Sequence, residues 1–204
     1  MATVVTDPYD SKQVGYDPLK LKGDIVTVSH NTAGHNFTSA VKGISHIIDG
    51  PGEYEIGGVF ITGIHTNGHV KKTQDEPRNT MYLIDYNGIN VLHLGDVNRV
   101  PSQAEVELLG PVHVALVPVG TGGSLTAIKA TEVISLLEPN IVIPMHYATA
   151  HSANTTVKLE PLSRFLKEMG LGSLESVPSI KIPNAKSLPD ETRVVVLEYQ
   201  KNSQ

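Results

Sequence analysis

The chain contains no cysteine. That absence removes disulfide staples, thiolate zinc sites and a cysteine nucleophile, and it fits a reducing compartment. Tryptophan is missing too, and aromatic residues make up only 5% of the chain. A core must therefore be built mainly from Val, Ile and Leu, and the interleaved basic and aromatic surface of a single-strand nucleic-acid binder is absent. Positive charge is not in excess: 16 Lys and Arg stand against 21 Asp and Glu, a formal net charge of −5, which argues against a nucleic-acid partner. No apolar run approaches the roughly 20 residues that cross a bilayer. The opening Met1-Ala2-Thr3-Val4-Val5-Thr6-Asp7-Pro8 lacks the basic and then apolar layout of a signal peptide. The expectation is a soluble cytoplasmic protein that meets neither membrane nor nucleic acid and acts on a small molecule.

What is present is a strand-rich pattern. Short runs rich in Val and Ile, bounded by Gly, Pro, Asn or Asp, recur at 3–6, 24–29, 45–48, 57–64, 80–86, 89–94, 112–117, 141–144 and 193–199, as strands do. Asn87-Gly88 predicts a two-residue hairpin turn between two of them, because both residues tolerate positive φ. Helices are fewer. Ser102 and Glu105 have the capping-box spacing and open a helix that ends near Gly110. A second runs from about 126 to 137 and stops at Pro139, and a third from about 160 to 169, followed by Gly170. Strands first, then strands alternating with helices, suits a layered α/β architecture. The length of 204 residues suits one domain over 1–204. The stretches 7–21, 70–78 and 173–191 read as loops.

Nine histidines are present, and three features of their placement point to a metal. His30 directly follows the apolar run Ile25-Val26-Thr27-Val28-Ser29, with His35 five residues on. Asp96 follows Val91-Leu92-His93-Leu94-Gly95, and His146 ends Ile141-Val142-Ile143-Pro144-Met145. Strand ends converge on sites in layered α/β folds. His65 and His69 follow the run at 57–64 and offer a further imidazole. A carboxylate with neutral imidazoles suits a divalent metal, zinc foremost, with manganese or iron as alternatives. His93, alternating with Leu92 and Leu94, reads as structural. Gly120-Thr121-Gly122-Gly123 lacks the ending of a phosphate-binding motif and reads as a loop beside the site. Arg78 and Lys129 are the cations available to an anionic substrate.

On the segments Ile48-Asp49-Gly50-Pro51-Gly52-Glu53-Tyr54-Glu55-Ile56, Leu92-His93-Leu94-Gly95-Asp96, Leu116-Val117-Pro118-Val119-Gly120 and Ile143-Pro144-Met145-His146-Tyr147, in this order, the chain resembles the metallo-β-lactamase superfamily, in particular its ascorbate-6-phosphate lactonase-like branch. The resemblance implies an αββα sandwich with a metal site at one edge of two sheets. The family signature His-x-His-x-Asp-His falls on residues 30–35. Its first and last histidines match His30 and His35, while Thr32 and Gly34 stand where it has His and Asp. Asp96 matches the bridging carboxylate and His146 the last histidine; His65 and His69 share the place of an intermediate one. One metal position would then be served by His30, Asp96 and His65 or His69, the other by His35, Asp96 and His146. The family's usual N-terminal hairpin, carrying Gly-His-Ser or Gly-His-Ala, has no counterpart before the strand at 3–6, which predicts an uncovered strand edge and self-association into a homo-oligomer.

Two functions follow from the resemblance. The first is a metal-dependent hydrolase of a small ester, lactone or phosphoester, acting through a metal-bound hydroxide with Asp96 as the catalytic carboxylate. Its site is atypical and impaired by Thr32 and Gly34. The alternative is a non-catalytic relative that keeps the scaffold for binding or assembly.

Overall fold

From residue 59 to 64 the chain alternates its environment: Val59, Ile61 and Gly63 are buried, while Phe60 is exposed and Thr62 and Ile64 are half-buried. That period of two marks a strand with one face in a core, and the same logic repeats along most of the chain. The computed structural model describes residues 1–66, 79–152 and 157–200. The elements in order are β1 (Val4–Thr6), α1 (Ser11–Val14), β2 (Leu21–Lys22), β3 (Ile25–Thr27), β4 (Val41–Lys42), β5 (His46–Ile48), β6 (Gly52–Ile56), β7 (Val59–His65), β8 (Thr80–Tyr86) and β9 (Ile89–His93). They continue with α2 (Gln103–Leu109), β10 (Val114–Pro118), α3 (Ala127–Leu137), β11 (Ile141–Met145), α4 (Leu162–Glu168), β12 (Ser176–Val177), β13 (Arg193–Val194) and β14 (Val196–Leu197).

The main sheet has seven strands in the order β13-β11-β10-β9-β8-β7-β6. From β6 to β9 neighbours are antiparallel, with two-residue turns between β6 and β7 and between β8 and β9. From β9 to β13 they are parallel, because connections containing α2, α3 and α4 carry the chain back to the same end of the sheet before β10, β11 and β13. The hairpin at Asn87-Gly88 is as expected, with φ of 54° and 86° and Tyr86 paired to Ile89. So is the capping box, in which Ser102 and Glu105 satisfy one another's backbone N–H groups. A second, parallel sheet has the order β1-β3-β5, with β1 at its edge.

Two apolar clusters join these layers. One, including Leu92, Leu94, Ala115, Val142, Val133 and Phe165, lies between the main sheet and helices α2, α3 and α4. The other joins the two sheets face to face through Ile25, Ile48, Val59, Ile61, Tyr82 and Ile84. Full burial of one such side chain contributes about 1.5–3 kcal/mol. Tyr82 also bridges the sheets with its hydroxyl, which donates to Val28 O and Ile48 O at 2.9 and 3.2 Å. On the outer face of the small sheet Val41 and Ile44 cover Val26 and Val28. No helix among the described residues is long and apolar enough to cross a membrane.

Three local expectations are corrected. Residues 52–56, outside the strand-like runs, form an edge strand although Glu53 and Glu55 disfavour strands; both side chains are exposed, while Tyr54 and Ile56 pack on the inter-sheet cluster. The stretch 7–21 holds the one-turn helix α1, capped by Asp10 and closed by Gly15 at φ 78°. The run 193–199 is not one strand: β13 pairs with β11, and β14 turns away to pair with β12. The expected loop at 70–78 lies outside the described residues.

Candidate metal centre

Four strands of the two sheets deliver polar residues to one edge of the sandwich. Past β1 the backbone turns at Asp7, φ 44°, whose N–H donates to Thr27 O. Past β3 come Ser29 and His30, past β9 Gly95 and Asp96, and past β11 His146, itself at φ 55°. Left-handed backbone at Asp7 and His146 costs on the order of 1–3 kcal/mol each, strain of the kind that gathers at functional sites. His35 enters from the turn after His30, where its N–H and that of Asn36 donate to Thr32 O.

The carboxylate oxygen Asp96 Oδ2 is the centre of the cluster. It lies 3.6 Å from His30 Nε2, 3.4 Å from His35 Nε2 and 3.6 Å from His146 Nε2. The hydrogen-bond network assigns the tautomers. His35 Nδ1 is 2.8 Å from the Asp7 carboxylate, which can only accept, so Nδ1 carries the proton. Ser29 Oγ–H donates to Asp7, so it accepts from His30 Nδ1–H at 3.1 Å. Ser124 Oγ–H donates to Thr121 O, so it accepts from His146 Nδ1–H at 3.3 Å. In their neutral forms all three imidazoles therefore turn Nε2 lone pairs toward Asp96.

Lone pairs facing a carboxylate at this range repel unless something positive lies between them. In a tetrahedral site with metal–ligand bonds of about 2.0–2.2 Å, neighbouring ligand atoms are about 3.3–3.6 Å apart. The separations from Asp96 Oδ2 match that edge. His35, Asp96 and His146 have ligand atoms all within 4.8 Å of one another. His30 is less free, because Thr32 Oγ–H donates to its Nε2 at 2.9 Å. Asp96 Oδ1 is buried without a hydrogen-bond partner among the described residues. The donor set fits a divalent cation.

Protonation answers to the same geometry. Burial pushes His30, His93 and His146 below the ordinary imidazole value. Burial acts likewise on His35, but its hydrogen bond to Asp7 and the charges of Asp96 and Asp7 outweigh it and leave His35 above that value. Burial raises the Asp7 carboxyl, yet His93, His35 and Ser29 together pull it below the usual range. An unfolded chain takes up protons on these histidines below about pH 6.5, whereas folded His30, His93 and His146 resist. Their effect is a loss of stability as pH falls through that value. His35 acts oppositely, its stabilisation being complete below about pH 6.5 and lost as pH rises through its raised folded value. With three groups against one, the melting temperature of the metal-free protein is expected to fall from about pH 7 to about pH 5, and His93→Gln to flatten that fall. Scanning calorimetry across the range checks it; a rise in melting temperature on acidification would contradict it.

Of the ligands expected from the sequence, the structure brings His30, His35, Asp96 and His146 together. His65 is exposed at the end of β7, its Nδ1 3.2 Å from Thr80 Oγ1, and belongs to neither convergent group. His69 and Arg78 lie outside the described residues. Lys129 Nζ donates to Asn98 O. The sequence reading missed four supports. Asp7 joins a second group with His30 and His35, and the strand-end rule that picked out Asp96 applies equally to it. Ser29 and Ser124 set tautomers. Asn79 accepts from Asp96 N–H at 2.8 Å and donates to Leu94 O and Thr66 Oγ1; nothing in its sequence neighbourhood announces that role. The glycines before α3 lie beside the site as expected, Gly122 closely enough that a Cβ would come within 3.1 Å of His146 Cε1.

A cavity of about 690 Å³ opens over the cluster. It is lined by His30, His35, Asp96 and His146 and, farther out, by tyrosines and aliphatic side chains.

Comparison with known proteins adds three findings. A family model described as a beta-lactamase superfamily domain matches residues 2–146. A UPF0173 metal-dependent hydrolase of Pyrococcus horikoshii is 32% identical over 102 residues, 48% of this chain and 44% of that protein. Its counterpart in Pyrococcus abyssi is 28% identical over 135 residues, 64% of this chain and 58% of that protein. The chain thus spans about half the length of the curated relatives it matches. Among solved structures, a Thermotoga maritima protein described as a Zn-dependent hydrolase of the metallo-beta-lactamase superfamily superposes with a TM-score of 0.75 at 35% identity, over 98% of this chain and 91% of that one.

Proposed function

The chain belongs to the metallo-β-lactamase superfamily, and from that membership we propose that it is a metal-dependent hydrolase of a small ester, lactone or phosphoester, with one divalent cation, zinc, held by His35, Asp96 and His146. The observation that carries this reading is the ring of acceptors around Asp96 Oδ2 at 3.4–3.6 Å. The printed descriptions of the relatives as metal-dependent and Zn-dependent hydrolases support it, and imidazole with carboxylate suits zinc. When bound, such a cation supplies Lewis-acid polarisation of the substrate oxygen and lowers the pKa of water at the site.

The chain's own residues account for the rest. Asp7 fixes the His35 ring and its tautomer, as the outer carboxylate does in a carboxylate–histidine–metal arrangement. Ser124 does the same for His146. Asp96 would use Oδ2 as a ligand, while its Oδ1 is buried without a hydrogen-bond partner among the described residues. Thr32 holds His30 by its Nε2 and keeps it out of a full ligand role. That hydrogen bond, with Gly34 offering no side chain, is the observation that favours the second reading, a non-catalytic relative used for binding or assembly.

Elemental mass spectrometry of protein purified without added metal or chelator, beside His146→Ala, tests the choice. About one metal per chain, lost in the variant, is expected. No metal in either, even after incubation with zinc or manganese, would overturn the hydrolase reading and leave the scaffold.

A further inference from the structure

The cavity over the cluster has an outer wall for which the metal chemistry has no use. Tyr9 and Tyr16 flank α1, and Tyr199 follows β14. Their ring centroids stand 5.7 Å apart for Tyr9 and Tyr16 and 4.7 Å apart for Tyr16 and Tyr199. His151 packs against both Tyr16 and Tyr199, at 5.4 and 4.6 Å. Every tyrosine hydroxyl of this group already has a protein partner. Tyr9 Oη donates to Asp17 O at 3.1 Å, Tyr16 Oη is 2.7 Å from Thr149 Oγ1, and Tyr199 Oη accepts from Asp17 N–H at 2.8 Å.

Those contacts make the three rings a preorganised surface. Their polar ends are occupied and their torsions are restrained, so a ligand meets ring carbon and pays little entropy for ordering it. All three tyrosines line the cavity that also contains Asp96 and His146. Among the described lining residues there is no Lys or Arg, and Glu198 is the one carboxylate besides Asp96. The polar pole of the cavity is therefore the metal cluster, and its far pole is aromatic, with a negative charge beside it. A second negative charge on a substrate would face Glu198, with no cationic partner among the described lining residues.

We propose that this wall is a binding subsite for an uncharged aromatic substituent, so that the substrate class is a neutral aryl-bearing ester or lactone rather than a phosphoester. The proposal rests on the hydrolase reading for the reaction but not for the binding. Aromatic pairing adds to the effect of area burial, so contact with two rings supports a preference of about tenfold for the ring.

The test follows binding to the metal-free and the zinc-loaded protein, read from tyrosine emission, which no tryptophan obscures, and by calorimetry. The probes are γ-phenyl-γ-butyrolactone, γ-butyrolactone without the ring, and phenyl phosphate with ring and charge. The phenyl lactone is expected to bind at least about tenfold tighter than the other two in metal-free protein. Tyr16→Ala and Tyr199→Ala should erase that margin with metal content unchanged, and Tyr199→Phe, which keeps the ring, should retain it. In the zinc-loaded protein the ratio of kcat/KM for the phenyl lactone to that for γ-butyrolactone should fall about tenfold in the alanine variants. Equal binding of the two lactones, tighter binding of phenyl phosphate to metal-free protein, or a margin that survives both alanine substitutions would overturn the subsite. A margin that holds while neither lactone is hydrolysed would overturn lactones as the substrates and leave the subsite standing.

Discussion

Asp96→Asn is expected to lower zinc affinity by at least about 100-fold and to remove hydrolysis with it, while leaving the metal-free fold intact. Substitution of a mere outer partner of a ligand typically costs about 10–100-fold, and Asp96 is the residue to which all three Nε2 atoms turn. The amide keeps the size of the side chain but replaces a charged acceptor by a group that can donate. Turned with its NH2 toward the lone pairs of His35 and His146, it relieves their mutual repulsion in the absence of metal. The melting temperature of the metal-free variant should therefore equal or exceed that of the wild type, even as metal binding collapses. Competition against a chromophoric chelator gives the affinity and calorimetry the stability. Undiminished zinc binding in the variant would mean that the ligands lie elsewhere.

Gly95→Ala should damage the site through the backbone. Gly95 has φ 58°, and a Cβ there would lie 2.4 Å from Asn79 Oδ1, 2.5 Å from Ser29 Cβ and 2.7 Å from Ser29 Oγ. Asn79 Oδ1 is the acceptor that fixes Asp96, and Ser29 Oγ links Asp7 to His30. One methyl group thus strikes the supports of the carboxylate and of two histidine positions together. A loss of about 3 kcal/mol or more is expected, adding steric displacement to the cost of a left-handed alanine. Gly88→Ala is the control. It also has positive φ, 86°, but nothing stands within 4 Å of its added Cβ, so only the backbone cost of about 1–2 kcal/mol applies. Urea unfolding of both variants separates the two effects. Equal losses would mean that the close approach of Gly95 to Ser29 and Asn79 has no energetic weight.

Much of the architecture could be read from residue pattern because period and punctuation are local. The strands at 80–86 and 89–93 and the turn between them follow from alternation and from Asn87-Gly88. The helix after Ser102 follows from its capping box. Pattern failed where the environment overruled propensity. Glu53 and Glu55 are tolerated in β6 because that strand is a sheet edge open to water. The run at 193–199 contains no break signal, and it splits because its two halves find different partner strands.

For the site, the sequence by itself determined the kind of chemistry: no thiolates, histidines and one aspartate at strand ends, and Thr32 and Gly34 interrupting the family signature. Which of these residues meet was decided only by the tertiary structure. Asp7, 89 positions before Asp96 along the chain, supports the same cluster because β1 and β3 are neighbours in one sheet while β9 belongs to the sheet packed against it. The tautomers, the hydrogen bond by which Thr32 occupies His30, and the tyrosine wall likewise arise from contacts between segments far apart in the chain or from the fold of a turn. Local pattern reports the conformational preference of a few consecutive residues. Convergence depends on which strands pair and which faces pack, and no short stretch of sequence carries that information.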